Sequence, residues 1–190
     1  MRVFLDFEAS SLADDSYPIE VGWVFETGQG ESHLIRPADD WRDWNIQAES
    51  IHKLTRATLD REGTAFDVVA RRMVEVLSGH DLYASAPSWD GKWLSVLLRR
   101  SGLARKQLTL RDTDEANAAL IADTLQSVLD PTAVEDLIPG LIRRARMERD
   151  GRTVAHRALA DAEEERQVWR AVGRLAEAER VRAERARLLS

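Results

Sequence analysis

The chain has 190 residues, 44% of them hydrophobic and 32% charged, with a formal net charge of −6; this suits one domain, 1–190, with a sizeable core. There is no cysteine. Disulfides and thiolate metal sites are therefore excluded, and any metal must be held by oxygen or imidazole ligands, a set that suits Mg²⁺ or Mn²⁺. The acidic excess falls before residue 101. It argues against a DNA-coating role, though not against an enzyme whose acids hold cations that in turn hold phosphates.

Met1–Phe7 reads as a short apolar strand, broken by acids and unlike a secretory leader. No segment could span a membrane, so the expected location is cytoplasmic. A polar turn, Ser10–Ser16, leads to a second strand at Pro18–Glu26 and a third at Glu31–Arg36, with Gly28 and Gly30 marking a hairpin. Pro37–Asp60 is irregular and rich in tryptophan, with a short helix around Gln47–His52. A helix follows in which Thr64 and Asp67 form a capping box and Gly79 is the stop. Asp81–Ala86 reads as a strand, Asp90–Arg100 as a helix with Trp93, Leu94, Leu97 and Leu98 inward, and Gln107–Asp112 as a further strand. The rest is helical, broken near Pro131 and Pro139. A loop, Arg149–Thr153, leads into a last helix, Ala158–Leu189, with an apolar stripe at Val168, Trp169, Val172, Leu175 and Ala176; the stretch Arg149–His156 is expected to be mobile. An antiparallel start followed by strands alternating with helices gives an α/β protein with a mixed five-stranded sheet and a long C-terminal helix.

Asp6 and Glu8 stand two apart on the first strand and so point to one face. Asp90 begins the helix after the middle strand. His156 precedes the last helix, and Asp161 falls in that helix's first turn. Taken singly, each has a plainer reading: a strand end in solvent, or helix-start acids stabilised by the helix dipole, with an exposed histidine. Taken together they describe four carboxylates able to hold two divalent cations for phosphoryl transfer, with a histidine able to take a proton from water.

In this arrangement the sequence resembles the DEDDh, or DnaQ-like, 3′–5′ exonucleases of the ribonuclease H-like superfamily, a group that includes proofreading subunits, ribonuclease T and oligoribonuclease. The resemblance rests on FLDFEASSL, YPIEVGWV, IQAESIHKLT, WDGKWLSVLL, LRDT and HRALADA, in that order. It implies a ribonuclease H-like fold. It implies Asp6, Glu8, Asp90 and Asp161 as ligands of two Mg²⁺ or Mn²⁺ ions, and His156 as general base. It implies hydrolysis of phosphodiesters at single-stranded 3′ ends of RNA or DNA, releasing nucleoside 5′-monophosphates. Ala9, Ser10 and Leu12 would line the pocket for the terminal nucleotide. His52 would contact the 3′ end, although a helix-surface histidine reads equally well. Glu20 would be a supporting or structural group, and Trp93 fits the core better than a base stack. Ser85 and Ala86 stand where the family often has His-Asn, Ser11 where it usually has Gly, and Lys53 where it usually has Gly. These departures touch substrate preference more than metal binding. The acidic balance and lack of a basic patch favour short substrates. A homodimer is common among free-standing relatives, and the last helix could serve one. The rival reading is a non-catalytic, nucleic-acid-associated or regulatory module that keeps the fold.

Overall fold

The computed structural model describes residues 1–149 and 156–189. Three strands open the chain: β1 (Arg2–Ala9), β2 (Pro18–Phe25) and β3 (Gly30–Arg36). Each pairs antiparallel with the next, with Asp6 opposite Gly22 and Glu8 opposite Glu20. β5 (Asp81–Ala84) lies parallel to the other side of β1, and β6 (Leu110–Asp112) parallel to β5. The sheet has six strands rather than five, in the order β4-β3-β2-β1-β5-β6. The additional strand is β4 (Thr64–Ala65), parallel to Ile35–Arg36. It occupies the place where a capping box is expected. Thr64 is paired in the sheet, Ala65 becomes a cap without a side-chain bond, and Asp67 pairs with Arg71 instead.

Between β3 and β4 lie two short helices, α1 (Ile46–His52) and α2 (Arg56–Glu62). The second, with Leu59 its only buried residue, is too short to announce itself by periodicity; it is capped by Thr55. The turn between them places Lys53 at φ 60°, a left-handed conformation that favours glycine.

The alternation of β1 sorts its side chains between two layers. Val3, Leu5 and Phe7 pack with Val21, Trp23 and Ile35 against α3 (Phe66–Leu77) and α4 (Pro87–Arg100). Phe4 faces the opposite layer, meeting Tyr83, Ala116 of α5 (Thr113–Leu125), and Ala162 and Trp169 of α7 (Ala158–Leu189). Asp6 and Glu8 continue the Phe4 side. A second cluster joins α5, α6 (Pro131–Met147) and α7 through Ile121, Leu125, Leu141, Ile142, Val168 and Val172. This packing carries α6 straight through Pro139, where a break is expected from the missing amide.

One close approach sets the position of α7. A Cβ on Gly22 would lie 2.2 Å from the amide nitrogen of Leu159 and 2.4 Å from its Cα. The helix backbone therefore rests on β2, opposite Asp6, at a distance only glycine permits.

Two substitutions test this local chemistry. Gly22→Ala should destabilise the protein by at least about 2 kcal/mol, because neither backbone can yield without moving α7; a denaturant midpoint unchanged from wild type would contradict the seating. Lys53→Gly should stabilise by about 1 kcal/mol by relieving the left-handed turn, read in the same titration.

Candidate active site

β1 extends beyond the end of β5. β5 pairs only with Arg2–Phe4, so the later amides of β1 lose their neighbour on that side. Asp90, in the first turn of α4, fills the gap: its Oδ1 accepts from the Phe7 amide at 3.3 Å. From the other layer, α7 brings Asp161 down over the same strand. One carboxylate oxygen from each of Asp6, Glu8 and Asp161 lies within 4.8 Å of the others. The sequence places these three acids in separate stretches, and the fold brings them together, with Asp90 beside them.

The cluster is electrostatically unsatisfied. Burial, then repulsion from Asp90, Glu8 and Asp161, pushes Asp6 up to about 9. Burial and the neighbouring acids push Glu8 to about 7, with Arg157 opposing. Burial alone takes Asp90 to about 7 against three backbone hydrogen bonds. Asp161 is raised by burial, with His156 opposing. Asp90 Oδ2 is buried and, among the described residues, has no hydrogen-bond partner. Only protons or cations can relieve such crowding. The donor set, all hard carboxylate oxygen, fits a divalent cation of the Mg²⁺ or Mn²⁺ type.

His156 is exposed, at φ 42°, directly before α7. Its position depends on the residue that follows. Glu20, 1% exposed, accepts from Arg157 at 2.7–3.2 Å and from the Ala158 amide at 3.2 Å, while Ser32 donates to it at 3.2 Å. Since Glu20 is the strand partner of Glu8, one clamp sets the start of α7, two residues after His156, whose charge acts on Asp161. The sequence suggests a supporting role for Glu20; its arginine partner is shown only by the fold. The expectation of a mobile 149–156 loop falls mainly on residues 150–155, which lie outside the described residues.

The expected nucleotide pocket is assembled unevenly. Ala9 is buried at the end of β1, and Leu12 is 68% exposed beyond it. Ser10 is wholly internal: its hydroxyl donates to Asp43 and accepts from the Tyr17 amide, its own amide donates to Tyr17, and its carbonyl accepts from Asn45. It shapes the loop with its own polar groups. His52 is not a surface residue. It is 2% exposed; Nδ1 accepts from the Leu54 amide at 3.0 Å, Nε2 has no partner, and burial lowers its pKa. Trp93 is core, as expected, with its indole donating to Ser16.

One acid escapes the sequence reading. Glu165, one turn after Asp161, has its Oε2 buried, with Thr113 beside the carboxylate. Burial raises its pKa, and its charge contributes to raising Asp6. The only signal is its helical spacing from Asp161, masked by the run Glu163–Glu165.

This mixed sheet, with α3 and α4 on one face and α5 and α7 on the other, is a ribonuclease H-like fold. The solved structures that share it include E. coli exonuclease I. Its zinc-bound complex with single-stranded DNA superposes with a TM-score of 0.62 at 16% identity, over 95% of this chain and 40% of that one. Its complex with a dA16 oligonucleotide gives 0.64 at 13% identity, over 94% and 42%. A product-bound structure of exonuclease I gives 0.63 at 15% identity, over 90% and 42%. The chain thus spans about two-fifths of those proteins. No protein-family model and no curated protein matches the sequence.

The raised carboxyls make stability depend on pH. A folded acid with a raised pKa keeps a proton that the unfolded chain releases near pH 4. Metal-free protein should therefore lose stability as pH rises from about 4 towards the Asp6 value of about 9. With EDTA present, thermal melting should fall across that range. Mn²⁺ should restore it more at pH 8 than at pH 5, and Asp6→Asn should melt above wild type at pH 8. A flat profile, indifferent to metal, would contradict the cluster.

Proposed function

We propose that the protein is a metal-dependent 3′–5′ exonuclease, hydrolysing phosphodiester bonds at single-stranded 3′ ends and releasing nucleoside 5′-monophosphates. The observation that carries this reading is the convergence of Asp6, Glu8 and Asp161 within 4.8 Å, with Asp90 in contact with the same strand. The sequence resemblance to DEDDh exonucleases and the fold shared with exonuclease I support it.

Asp6, Glu8, Asp90 and Asp161 would hold the cations, two in this reading, Mg²⁺ or Mn²⁺. Bound there, the cations supply Lewis acidity, easing ionisation of the attacking water and offsetting charge on the departing 3′-oxygen. His156 takes the water's proton. The Glu20–Arg157 pair holds the backbone on which His156 is carried, and α7, seated on Gly22, keeps Asp161 in register with Asp6. In this reading Leu12, exposed beyond the buried end of β1, touches the terminal nucleotide. The partner in this reading is a single-stranded RNA or DNA 3′ end. Analogy with free-standing single-domain relatives leans towards RNA, whereas the exonuclease I structures above hold single-stranded DNA.

Asp6→Ala should abolish Mn²⁺-dependent mononucleotide release from labelled RNA and DNA oligomers while leaving the circular dichroism spectrum unchanged. His156→Ala should slow release by roughly 10²–10⁴-fold and keep Mn²⁺ binding measurable by calorimetry. Wild-type protein, folded and loaded with Mn²⁺, that released no mononucleotide from any 3′-ended oligomer would defeat the enzyme reading and leave the non-catalytic module in its place.

A further inference from the structure

The outer face of α4 carries a groove that neither the metal cluster nor the nucleotide pocket uses. Its floor is Ser88, Gly91 and Ser95, and its rim is Lys92, Arg99 and Arg105, around about 450 Å³ of open space. No carboxylate lines it. Among the described residues Arg99 bonds only a backbone carbonyl of its own helix, that of Ser95. Lys92 reaches the Ala13 carbonyl and the Ser16 hydroxyl, and lies 5.1 Å from the ring centre of Trp89. Among the described residues none of the three forms an ion pair. In a chain of net charge −6, three uncompensated cations along one concave face form a local positive site.

The residue sizes are informative as well. Small side chains at 88, 91 and 95 fall on one helical face, and a Cβ on Gly91 would meet nothing within 4 Å. A broad, flexible polyanion can therefore lie close to the helix while the longer cations reach over it from the sides. From Ser88 to Arg99 the groove follows about 16 Å of helix. It begins at the N-terminal end of α4, the end that also carries Asp90. Ser88 is two residues from Asp90, and Lys92 holds the turn that carries Leu12 and Ala13. Trp89, 36% exposed, stacks on Trp93 at 5.7 Å.

We propose that this groove binds the sugar–phosphate backbone of the substrate strand upstream of the 3′ nucleotide, with Arg99 and Arg105 contacting phosphates several nucleotides from the cleaved bond. This rests on the exonuclease reading above and extends it. It replaces the short substrate inferred from composition with a strand long enough to cross α4. Recognition is by charge and shape, and so independent of base sequence.

The test uses the full chain and the double variant Arg99→Gln/Arg105→Gln, both residues being exposed. Binding of a 5′-labelled 12-mer is followed by fluorescence anisotropy in EDTA, so that affinity is read without hydrolysis. The wild type should bind it more tightly than a dinucleotide. In the variant, affinity should fall at least tenfold at low salt, and the slope of log K against log salt should drop by roughly 1.4, the value for two lost single-strand phosphate contacts. With Mn²⁺ present, the ratio of kcat/KM on the 12-mer to that on the dinucleotide should fall in parallel. Equal affinity and salt slope in wild type and variant would overturn the proposal. So would wild-type protein that binds the 12-mer no better than the dinucleotide, or an Asp-rich peptide that is lost from the variant while oligomer binding is kept. Groove-dependent binding in a protein that releases no nucleotide would defeat the exonuclease reading instead, so the two failures are distinguishable.

Discussion

The contact between the first turn of α7 and Gly22 is the constraint on which the rest of the site depends. Asp161 can meet Asp6 and Glu8 only if a helix lies nearly on the sheet, and a side chain at position 22 would hold it off by the width of a methyl group. The same seating presents the Ala158 amide and Arg157 to Glu20. A buried carboxylate, costly when unpaired, is thereby bonded on several sides and in turn fixes the end of the loop that carries His156. Packing and electrostatics reinforce each other at one point: glycine permits the approach, and the Glu20–Arg157 pair sets where along the strand it occurs.

Around that point the protein concentrates charge that does not favour its own folding. Asp6, Glu8, Asp90 and Asp161 are all pushed upward by burial, and Glu165 adds a fifth partly shielded acid. The aliphatic and aromatic side chains behind β1 hold these groups where they repel. The arrangement stores affinity for cations, since binding them removes the repulsion. The cluster is negative, and the groove on α4 is lined by cations.

Much of this is legible in the sequence, residue by residue. The alternation of β1 puts Asp6 and Glu8 on one face, the start of α4 exposes Asp90 to the strand ends, and the step from His156 to Asp161 crosses a helix boundary. What escapes is instructive. β4 is missed because Thr64 has a good local use as a cap, and pairing with β3 overrides it. Pro139 looks like a break, but the packing of α6 against α7 carries the helix through. His52 reads equally as a substrate contact and as a helix-surface residue because nothing local shows that it is buried beside Trp44. The basic groove is missed because Lys92, Arg99 and Arg105 stand singly or in pairs among apolar and small residues and form no run of charge.

The sequence by itself determined the chemistry: hard oxygen ligands without sulfur, a histidine at a helix start, and strands and helices in an order that leads to a mixed sheet. These follow from residue types and short spacings, which act locally. Only the tertiary structure decided which acids share one space, that Glu20 meets Arg157 across 137 residues, that Glu165 turns inward, and that three scattered cations line one groove. Those relations depend on how closely two backbones can approach, and at Gly22 that distance is set by the partner helix as much as by the strand.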